Sequence, residues 1–339
     1  MDAVWQWGIA QVLTLQHLSP GLDQAMAFLS FLGGEEFFML LIPFLYWCVD
    51  TTWGMRVLAI LLFSDFTNGL LKWAFHAPRP YWVDARVKAL VAETSYGLPS
   101  GHAQVATAIW GFLARAARRP SAWVAAVLLV LGISISRVYL GVHFPHDVAA
   151  GWVAGALVLA AYLWLEPRAA TWLRPRPLAV HVAAVLLFSA VMLAGVFSVR
   201  AAIAGTPDPP AWEAQAAAAG PPAAGRRGTD PRSMDGFFTN LGVAFGAGVG
   251  WALRRKYVSF DPRGPWAQRI LRLGLGLFVL LGLRSGLGAL FPREPLEVAL
   301  LFRYVRYALI GLWTVWLAPW AFVGLGLAGP GMRTRGASF

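Results

Sequence analysis

Long apolar runs separated by short polar segments dominate this sequence. Most of the runs are long enough to cross a bilayer core of about 30 Å as α-helices, while the first, third and seventh are short and predict tilt, extension or partial re-entry. The pattern therefore predicts an all-α, polytopic transmembrane helical bundle with about nine spans. The predicted spans are residues 36–50, 54–76, 101–116, 121–138, 147–165, 178–200, 235–252, 266–290 and 302–326.

The chain outside these runs predicts its division into domains. Residues 1–34, interrupted by Ser19-Pro20-Gly21, are expected to form amphipathic helices in the membrane interface. Residues 35–176 are expected to form one transmembrane core, and residues 177–339 a transmembrane extension. Within the extension, residues 201–234 are rich in Ala, Pro and Gly without a helical or strand period, so we expect an exposed extracytoplasmic linker.

The composition agrees with a membrane protein. Hydrophobic residues make up 58% of the 339 residues and charged residues 13%, and the mean hydropathy is +0.58, which excludes an ordinary soluble domain. The net charge is +11, but the basic residues occur in short clusters between apolar runs, so we expect no nucleic-acid partner. The single cysteine, Cys48, excludes an intrachain disulfide.

The distribution of charge predicts the orientation in the membrane. When the loops are assigned alternately, one side carries 15 basic residues against three acidic ones, and the other carries 13 against 13, with Asp65 inside a span. Because basic loops remain in the cytoplasm, the first side is predicted to be cytoplasmic. The loops 77–100 and 138–147 then face outward.

Three short polar motifs lie at the predicted outer ends of spans. The first is KWAFHAPRP, the second PSGH and the third SRVYLGVHFPHD. They contain Lys72, Arg79 and Pro80; Ser100, Gly101 and His102; and Ser136, Arg137, His143 and Asp147.

These residue types together suit phosphate chemistry. Three cations with hydroxyl and backbone donors favour an anion with several oxygens, and phosphate fits this better than carboxylate. Two histidines allow the nucleophile and the proton donor to be separate groups. No cluster at metal-ligand spacing accompanies them, so we expect neither a metal nor a cofactor.

The ordered motifs resemble the signature of the type 2 phosphatidic acid phosphatase (PAP2) superfamily. That signature is Lys, six residues, Arg-Pro; then Pro-Ser-Gly-His; then Ser-Arg, five residues, His, three residues, Asp, and every position matches. The resemblance covers about residues 20–170 and implies a PAP2-type catalytic core in residues 35–176. It also extends to soluble vanadium haloperoxidases, which share the anion pocket but lack this hydrophobicity.

The resemblance implies a role for each matching residue. His143 would attack phosphorus to form a phosphohistidine, Asp147 would hold the other ring nitrogen, and His102 would protonate the leaving oxygen. The start of the third span would be an anion receptor, because a helix N-terminus favours negative charge. The phosphate-binding set would be Lys72, Arg79, Ser100, Gly101 and Arg137, supported by Pro80 and Ser136.

Asp65 is a further candidate for a supporting role in the site, because burying an ionisable residue in the middle of a span costs free energy. It lies seven residues before Lys72 on the same helix face, with Asn68 one turn further on. One hypothesis is that Asp65 orients the active-site helix through polar contacts beneath the pocket. The alternative is a protonated carboxyl bonded to a neighbouring helix.

The sequence thus predicts a metal-independent membrane phosphatase that acts on a lipid phosphate or lipid pyrophosphate at the extracytoplasmic face. The alternatives are a phosphatase for a soluble sugar phosphate similar to glucose-6-phosphatase, a lipid phosphotransferase, and a non-catalytic lipid-binding or transport protein. The expected location is the bacterial inner membrane with the site facing the periplasm, and the expected partners are membrane lipids. A homo-oligomer is left open, since Gly242, Gly246 and Gly250 form a small-residue face suited to contact within or between chains.

Overall fold

The computed structural model describes residues 3–219 and 229–329, and within these ranges it is helical with no β-strand. Helices α3 and α13 each continue into one π-helical turn, Leu45–Val49 and Trp313–Leu317. The α-helices are α1 (Ala3–Gln16), α2 (Asp23–Phe31), α3 (Glu35–Phe44), α4 (Thr51–Phe75), α5 (Pro80–Val83), α6 (Gly101–Ala117), α7 (Pro120–Tyr139), α8 (Pro145–Leu173), α9 (Leu178–Ala202), α10 (Pro210–Ala219), α11 (Asp235–Tyr257), α12 (Trp266–Leu290), α13 (Leu296–Leu312) and α14 (Ala318–Gly324).

Seven helices in the described ranges are long and apolar enough to cross a membrane. The number becomes eight if α2 and the helix Glu35–Val49, which meet at a bend of 49°, form one broken span. The all-α transmembrane architecture is confirmed, whereas the count of nine is not. The third predicted span is helix α6, whose 17 residues leave it just short of a full crossing.

The chain forms two compact units. The first contains the chain up to Phe38, Phe63–Trp164 and Val196–Ser233. The second contains Met39–Leu62, Leu165–Gly195 and the chain from Met234 onward. These units do not divide at residue 176, because the N-terminal helices and the region around α10 pack with the residues of the three motifs. The interfacial position of residues 1–34 stays a prediction.

In the first unit, close contact between α6 and α8 brings the second and third motifs together. Helix α7 packs against α1, α2 and α6. A Cβ on Gly155 of α8 would lie 2.4 Å from the carbonyl oxygen of Gln104 in α6, so only glycine permits this approach. The backbone N–H of Ser100, just before α6, donates to the Asp147 carbonyl at 2.9 Å. The N-terminal ends of α6 and α8 are therefore adjacent.

Buried amides connect α4 to α6 beneath the site. Asn68 Nδ2 donates to Gln104 Oε1 at 2.9 Å, and Gln104 Nε2 donates to the Ser64 carbonyl at 2.8 Å. The Asp65 carboxyl interacts electrostatically with Glu35 and Lys72. The orienting role of Asp65 stays a prediction, while its neighbours Ser64 and Asn68 make hydrogen bonds from α4 to α6.

The predicted linker is partly helical. Residues 210–219, expected to be irregular, form α10, which packs against α5. The alanine-rich run WEAQAAAA has high helix propensity, and a tertiary contact stabilises a helix too short to persist alone. Residues 220–228, the middle of the predicted linker, lie outside the described residues.

In the second unit, glycines of α11 bring it into close contact with α13. A Cβ on Gly242 would lie 2.5 Å from the Tyr304 carbonyl oxygen, and one on Gly246 would lie 1.9 Å from that of Ala308. The small-residue face predicted from the sequence therefore packs within the chain at these positions. It gives no support to a contact between subunits.

Replacing Gly246 with alanine should destabilise the protein, because the new methyl group would overlap a backbone atom that cannot move without displacing α13. We expect a loss of about 1–3 kcal/mol, typical of overpacking, measured as a lower midpoint of thermal unfolding in detergent. Gly274→Ala is the matched control, since nothing lies within 4 Å of its Cβ position in α12. Equal midpoints for the two variants would contradict the close packing of α11 and α13.

Candidate active site

The three motifs converge at the ends of five helices in the first unit, and the second motif lies at the start of α6. Lys72 lies in the last turn of α4, and Arg79 precedes α5. Arg137 lies in the last turn of α7, and His143 lies in the loop before α8. Since apolar helices bring these polar side chains to one place, their burial requires that they satisfy one another or a ligand.

His143 and Asp147 form a buried pair. The ring nitrogen Nδ1 of His143 lies 3.3 Å from Asp147 Oδ2, which also accepts the backbone N–H of Phe144 at 2.9 Å. His143 is 1% exposed and Asp147 0%. Because the carboxylate accepts from Nδ1, the imidazole presents Nε2 as its unprotonated nitrogen.

The surroundings keep His143 neutral. Burial and then the positive charges of Arg79, Lys72 and Arg137 hold the pKa of the His143 imidazole well below its usual range. A lowered pKa favours the unprotonated form, so Nε2 keeps its lone pair at neutral and mildly acidic pH. This is the state that a nucleophilic imidazole requires.

Arg79 is the most extensively bonded residue of the site. It is 0% exposed, and its Nη1 donates to the Val142 carbonyl at 2.8 Å and lies 3.3 Å from His143 Nε2. Its Nε donates to the Ser95 carbonyl at 2.6 Å, and its Nη2 lies 3.2 Å from Glu93 Oε2. The guanidinium thus lies against His143 Nε2, the nitrogen predicted to attack phosphorus, where a phosphate group would meet both.

Glu93, which the motifs did not indicate, joins two of the cations. One carboxylate oxygen pairs with Arg79 and the other with Arg137 Nη2. Burial alone would raise the pKa of Glu93, but Arg79 and Arg137 outweigh it and lower that pKa below its usual range. Glu93 is therefore ionised at neutral pH and holds both guanidiniums in place.

Lys72 and Arg137 complete the set of cations. Lys72 Nζ donates to Ser95 Oγ at 2.8 Å and to the Tyr96 carbonyl at 2.7 Å, which leaves its third N–H for a ligand. Arg137 Nη1 donates to Ser30 Oγ at 2.5 Å. Ser30 belongs to α2, so the predicted interfacial segment contributes to the site.

The start of α6 supplies further donors. Ser100 precedes the helix. Gly101 and His102 begin it, so the backbone N–H groups of these two residues lack partners within the helix. Among the described residues, the buried Ser100 Oγ and Arg137 Nε have no hydrogen-bond partner. Unpaired donors of this kind are costly to bury, and anionic oxygens would satisfy them.

His102 lies close to the other charged groups of the site. Its imidazole is within electrostatic range of Arg137, Glu93 and His143. The break between α2 and α3 lies against its ring, since a Cβ on Gly33 would be 3.2 Å from His102 Cδ2. His102 and His143 are thus both part of one cluster, as two groups acting on one phosphorus would be.

The predicted supporting residues have local roles. Pro80 is the first residue of α5, which its ring favours. Ser136 Oγ donates to the Ile133 carbonyl of its own helix at 2.7 Å, so it does not offer its hydrogen to a ligand. In the described ranges no group of three or more His, Cys, Asp or Glu side chains is placed to hold a metal ion.

Sequence reasoning missed three residues of the cluster, Ser30, Glu93 and Ser95. They lie in irregular or N-terminal segments without a fixed spacing from the motifs. Glu93 is one of two acidic residues in the loop 77–100, with Asp84, and its position in the sequence does not distinguish it. Its partners could be identified only from the folded structure.

Comparison with known proteins identifies two family regions in the chain. The profile of the PAP2 superfamily matches residues 53–172, which contain all of the signature residues. A second profile, the transmembrane extension of PAP2 superfamily phosphatases, matches residues 238–330. The chain belongs to the PAP2 superfamily, with a match to its phosphatase domain followed by a match to its transmembrane extension.

Similar curated proteins are glucose-6-phosphatases. Glucose-6-phosphatase 3 of Bos taurus is 30% identical over 183 residues, 47% of this chain and 53% of the relative. The catalytic subunit 1 of Haplochromis nubilus is 29% identical over 189 residues (47% and 53%), and glucose-6-phosphatase 2 of Homo sapiens 26% over 186 (44% and 52%). The chain spans about half the length of the curated relatives it matches.

One similar solved structure is a transmembrane PAP2-type phosphatidylglycerolphosphate phosphatase from Bacillus subtilis. It is 24% identical with a TM-score of 0.42, covering 50% of this chain and 88% of that one.

Proposed function

We propose that this protein is a membrane phosphatase that hydrolyses a phosphate monoester through a phosphohistidine on His143. The observation that carries the proposal is the buried His143–Asp147 pair, whose Nε2 lies against the Arg79 guanidinium. A neutral imidazole beside converging cations can attack an electron-poor phosphorus, and a carboxylate on its far nitrogen stabilises the positive charge that develops.

The reaction proceeds in two displacements. In the first, His143 Nε2 forms a bond to phosphorus, the bond to the ester oxygen breaks, and His102 gives that oxygen a proton. Burial and the charge of Arg137 lower the pKa of His102 to about 3, and the negative charge of a bound phosphate raises it towards the protonated form that this step requires. In the second, His102 takes a proton from water, whose oxygen bonds to phosphorus as the bond to Nε2 breaks. Inorganic phosphate leaves, and both histidines return to their starting states.

The cations and helix donors stabilise the charge of the transferred group. The three equatorial oxygens of a five-coordinate phosphorus can accept hydrogen bonds from several directions. The donors would be the side chains of Arg79, Arg137, Lys72 and Ser100 and the first backbone amides of α6. Fixed donors of this kind supply the stabilisation that a metal ion would otherwise supply. We include in this proposal that the reaction needs no metal ion.

The substrate that we favour is a sugar phosphate. The curated relatives are glucose-6-phosphatases, which supports a soluble sugar phosphate over the lipid phosphate or pyrophosphate favoured by the sequence alone. The lipid substrate remains the alternative, since the site lies at the ends of membrane helices, where a headgroup could enter while its tail stays in the bilayer. Transfer of the phosphoryl group to an alcohol would use the same intermediate.

The proposed orientation has the site facing outward from a bacterial inner membrane. The excess of basic residues in the loops on the other side supports it. A cysteine introduced beside the site in a Cys48→Ser background, then labelled in intact cells by a membrane-impermeant reagent, tests this orientation. Labelling only after the membrane is permeabilised would reverse it.

Phosphate release by the purified protein in detergent tests the function. Glucose 6-phosphate, phosphatidic acid and an isoprenyl pyrophosphate are compared with and without a strong chelator and orthovanadate. We expect glucose 6-phosphate to be hydrolysed most efficiently, chelator to have no effect, and orthovanadate to inhibit. Activity confined to the lipids would replace the sugar substrate, and loss of activity with chelator would contradict the metal-free mechanism.

A further inference from the structure

The loop that completes the phosphate site is fixed by a segment outside both matched family regions. Residues 93–97, here called the active-site loop, have no regular secondary structure. They nevertheless provide the Tyr96 carbonyl that accepts Lys72 Nζ and the Ser95 carbonyl that accepts Arg79 Nε. The position of two catalytic cations thus depends on how firmly this loop is held.

The segment that holds it is called the strap here and comprises residues 203–219 and 229–232. It lies between the PAP2 domain match, which ends at residue 172, and the extension match, which begins at residue 238. All the contacts described below are within the first compact unit.

Tyr96 connects the strap to the phosphate site. Its ring is fully buried, and its hydroxyl donates to Asp208 Oδ1 at 2.7 Å while accepting Arg232 Nε at 2.9 Å. Its backbone carbonyl accepts Lys72 Nζ. One residue therefore binds the strap through its side chain and a catalytic cation through its backbone.

The two charged residues of the strap are themselves anchored. Arg232 Nε lies 3.4 Å from Asp208 Oδ2, and Arg232 Nη1 donates to the Ile203 carbonyl at 3.0 Å. His76, just beyond α4, contacts the Asp208 carboxylate and lies 3.1 Å from Arg232 Nη2. This ion-pair network fixes the two ends of the strap to each other and to the end of the helix that carries Lys72.

Other contacts hold the strap against the same loop. The backbone N–H of Asp230 donates to the Thr94 carbonyl at 3.2 Å. Trp73 Nε1, one residue beyond Lys72, donates to the Pro231 carbonyl at 3.0 Å. The ring of Trp212 in α10 lies 6.2 Å from that of Trp82 in α5. The strap thus contacts the active-site loop, α4 and α5 together.

We infer that Asp208 and Arg232 are positioning residues which, through Tyr96, hold Lys72 and the active-site loop in the geometry that binds phosphate. The inference rests on the proposed function. Neither residue is placed against the phosphate, so each acts through the loop. A displacement of about 1 Å at a catalytic group can lower a rate by about 10²-fold, so a small loosening of this loop would be measurable.

The conservative variants Tyr96→Phe, Asp208→Asn and Arg232→Lys test the inference on the full chain. Tyr96→Phe removes one hydroxyl while retaining the ring and the carbonyl that binds Lys72. We expect kcat/KM to fall about 10- to 100-fold, with a thermal midpoint near that of the wild type. Glu213→Gln, an exposed change on α10 in the same strap, is the matched control and should leave kcat/KM unchanged.

A double-mutant cycle separates positioning from general destabilisation. Tyr96→Phe and Asp208→Asn remove the same link, so the double variant should lose little more kcat/KM than either single variant. Fully multiplicative losses would show that the two side chains act separately, which would overturn the inference.

Hydrogen exchange of the backbone amides in residues 93–97 provides a measurement that needs no substrate. Exchange there should be faster in Tyr96→Phe and Asp208→Asn than in the wild type, and unchanged in Glu213→Gln. Unchanged exchange in the loop would overturn the inference, whatever the activity. If the exchange responds as expected but the wild type hydrolyses no phosphate ester, the proposed function fails and the structural link stands.

Discussion

Replacing His143 with alanine is expected to lower kcat/KM by about 10⁴-fold or more, the effect of removing a covalent nucleophile. His146, the nearest histidine in sequence, stacks on the Phe144 ring, and its Nε2 lies 3.5 Å from Asp147 Oδ1. Its ring is thus held by stacking on Phe144, beside the Asp147 oxygen that His143 does not contact.

The wild type should form a covalent intermediate that this variant lacks. Brief reaction with ³²P-labelled substrate, followed by quenching in alkali, should retain label on the wild type, since phosphohistidine is stable to alkali and labile to acid. His143→Ala should retain none, and its thermal midpoint should stay near that of the wild type. Label on the variant would identify another nucleophile.

The matched control is His181→Ala. His181 lies in α9, where Nδ1 contacts the Pro177 carbonyl at 3.1 Å, and it belongs to the second compact unit. Its removal should change kcat/KM by less than about twofold, as expected for substitutions away from functional sites. A comparable loss in both variants would show that the assay reports loss of folding instead of loss of the nucleophile.

Replacing Arg79 with lysine should have the second largest effect, lowering kcat/KM by about 10²–10³-fold. Lysine keeps the positive charge but not the planar fork of donors. Arg79 uses all three of its nitrogens, contacting Ser95, Glu93, Val142 and His143. A single ammonium cannot reproduce this set, so the charge would shift away from the nucleophile.

The form of the loss distinguishes transition-state stabilisation from simple binding. If Arg79 stabilises the five-coordinate phosphorus, kcat should fall along with kcat/KM, and inhibition by orthovanadate should weaken in parallel. An increase in KM alone would show that Arg79 only binds the ground state. The thermal midpoint of the variant is measured as well, because Arg79 also forms an ion pair with Glu93 and its replacement could destabilise the fold.

Arg86→Lys is the matched control for this substitution. Arg86 lies in the same connecting region, pairs with Asp84 at 2.6 Å, and has a side chain that is 70% exposed. Exposed ion pairs contribute about 0–1 kcal/mol, so the change should leave activity and stability nearly unaltered. Losses in both variants would indicate a general need for arginine in this region.

Much of the site was predictable because the family signature is linear. Lys72 and Arg79 are separated by the last turn of a helix, and His143 and Asp147 by four residues, so each motif brings its side chains together locally. The hydrophobic runs likewise predicted the helices, since a bilayer leaves the backbone no other way to pair its polar groups within a span.

Other features were not predictable because they depend on contacts between distant segments. Glu93 is ion-paired across 44 residues to Arg137, and Arg232 is hydrogen-bonded across 136 residues to Tyr96. Asp65 was the more conspicuous residue of its helix, yet its neighbours Ser64 and Asn68 make the hydrogen bonds to α6. Which of these side chains faces α6 depends on the rotation of α4 about its own axis, and the sequence of a single span does not specify that rotation.

The sequence by itself determined the class of protein and predicted the chemistry of its site. Helical spans follow from runs of apolar residues, and the signature follows from spacing along one chain. Only the tertiary structure decided what holds the cations in place and which segments surround them: Glu93 between two arginines, Ser30 beside Arg137, and the strap against Tyr96. The physical reason is that these interactions join residues far apart in sequence, and their geometry exists only when the helices pack.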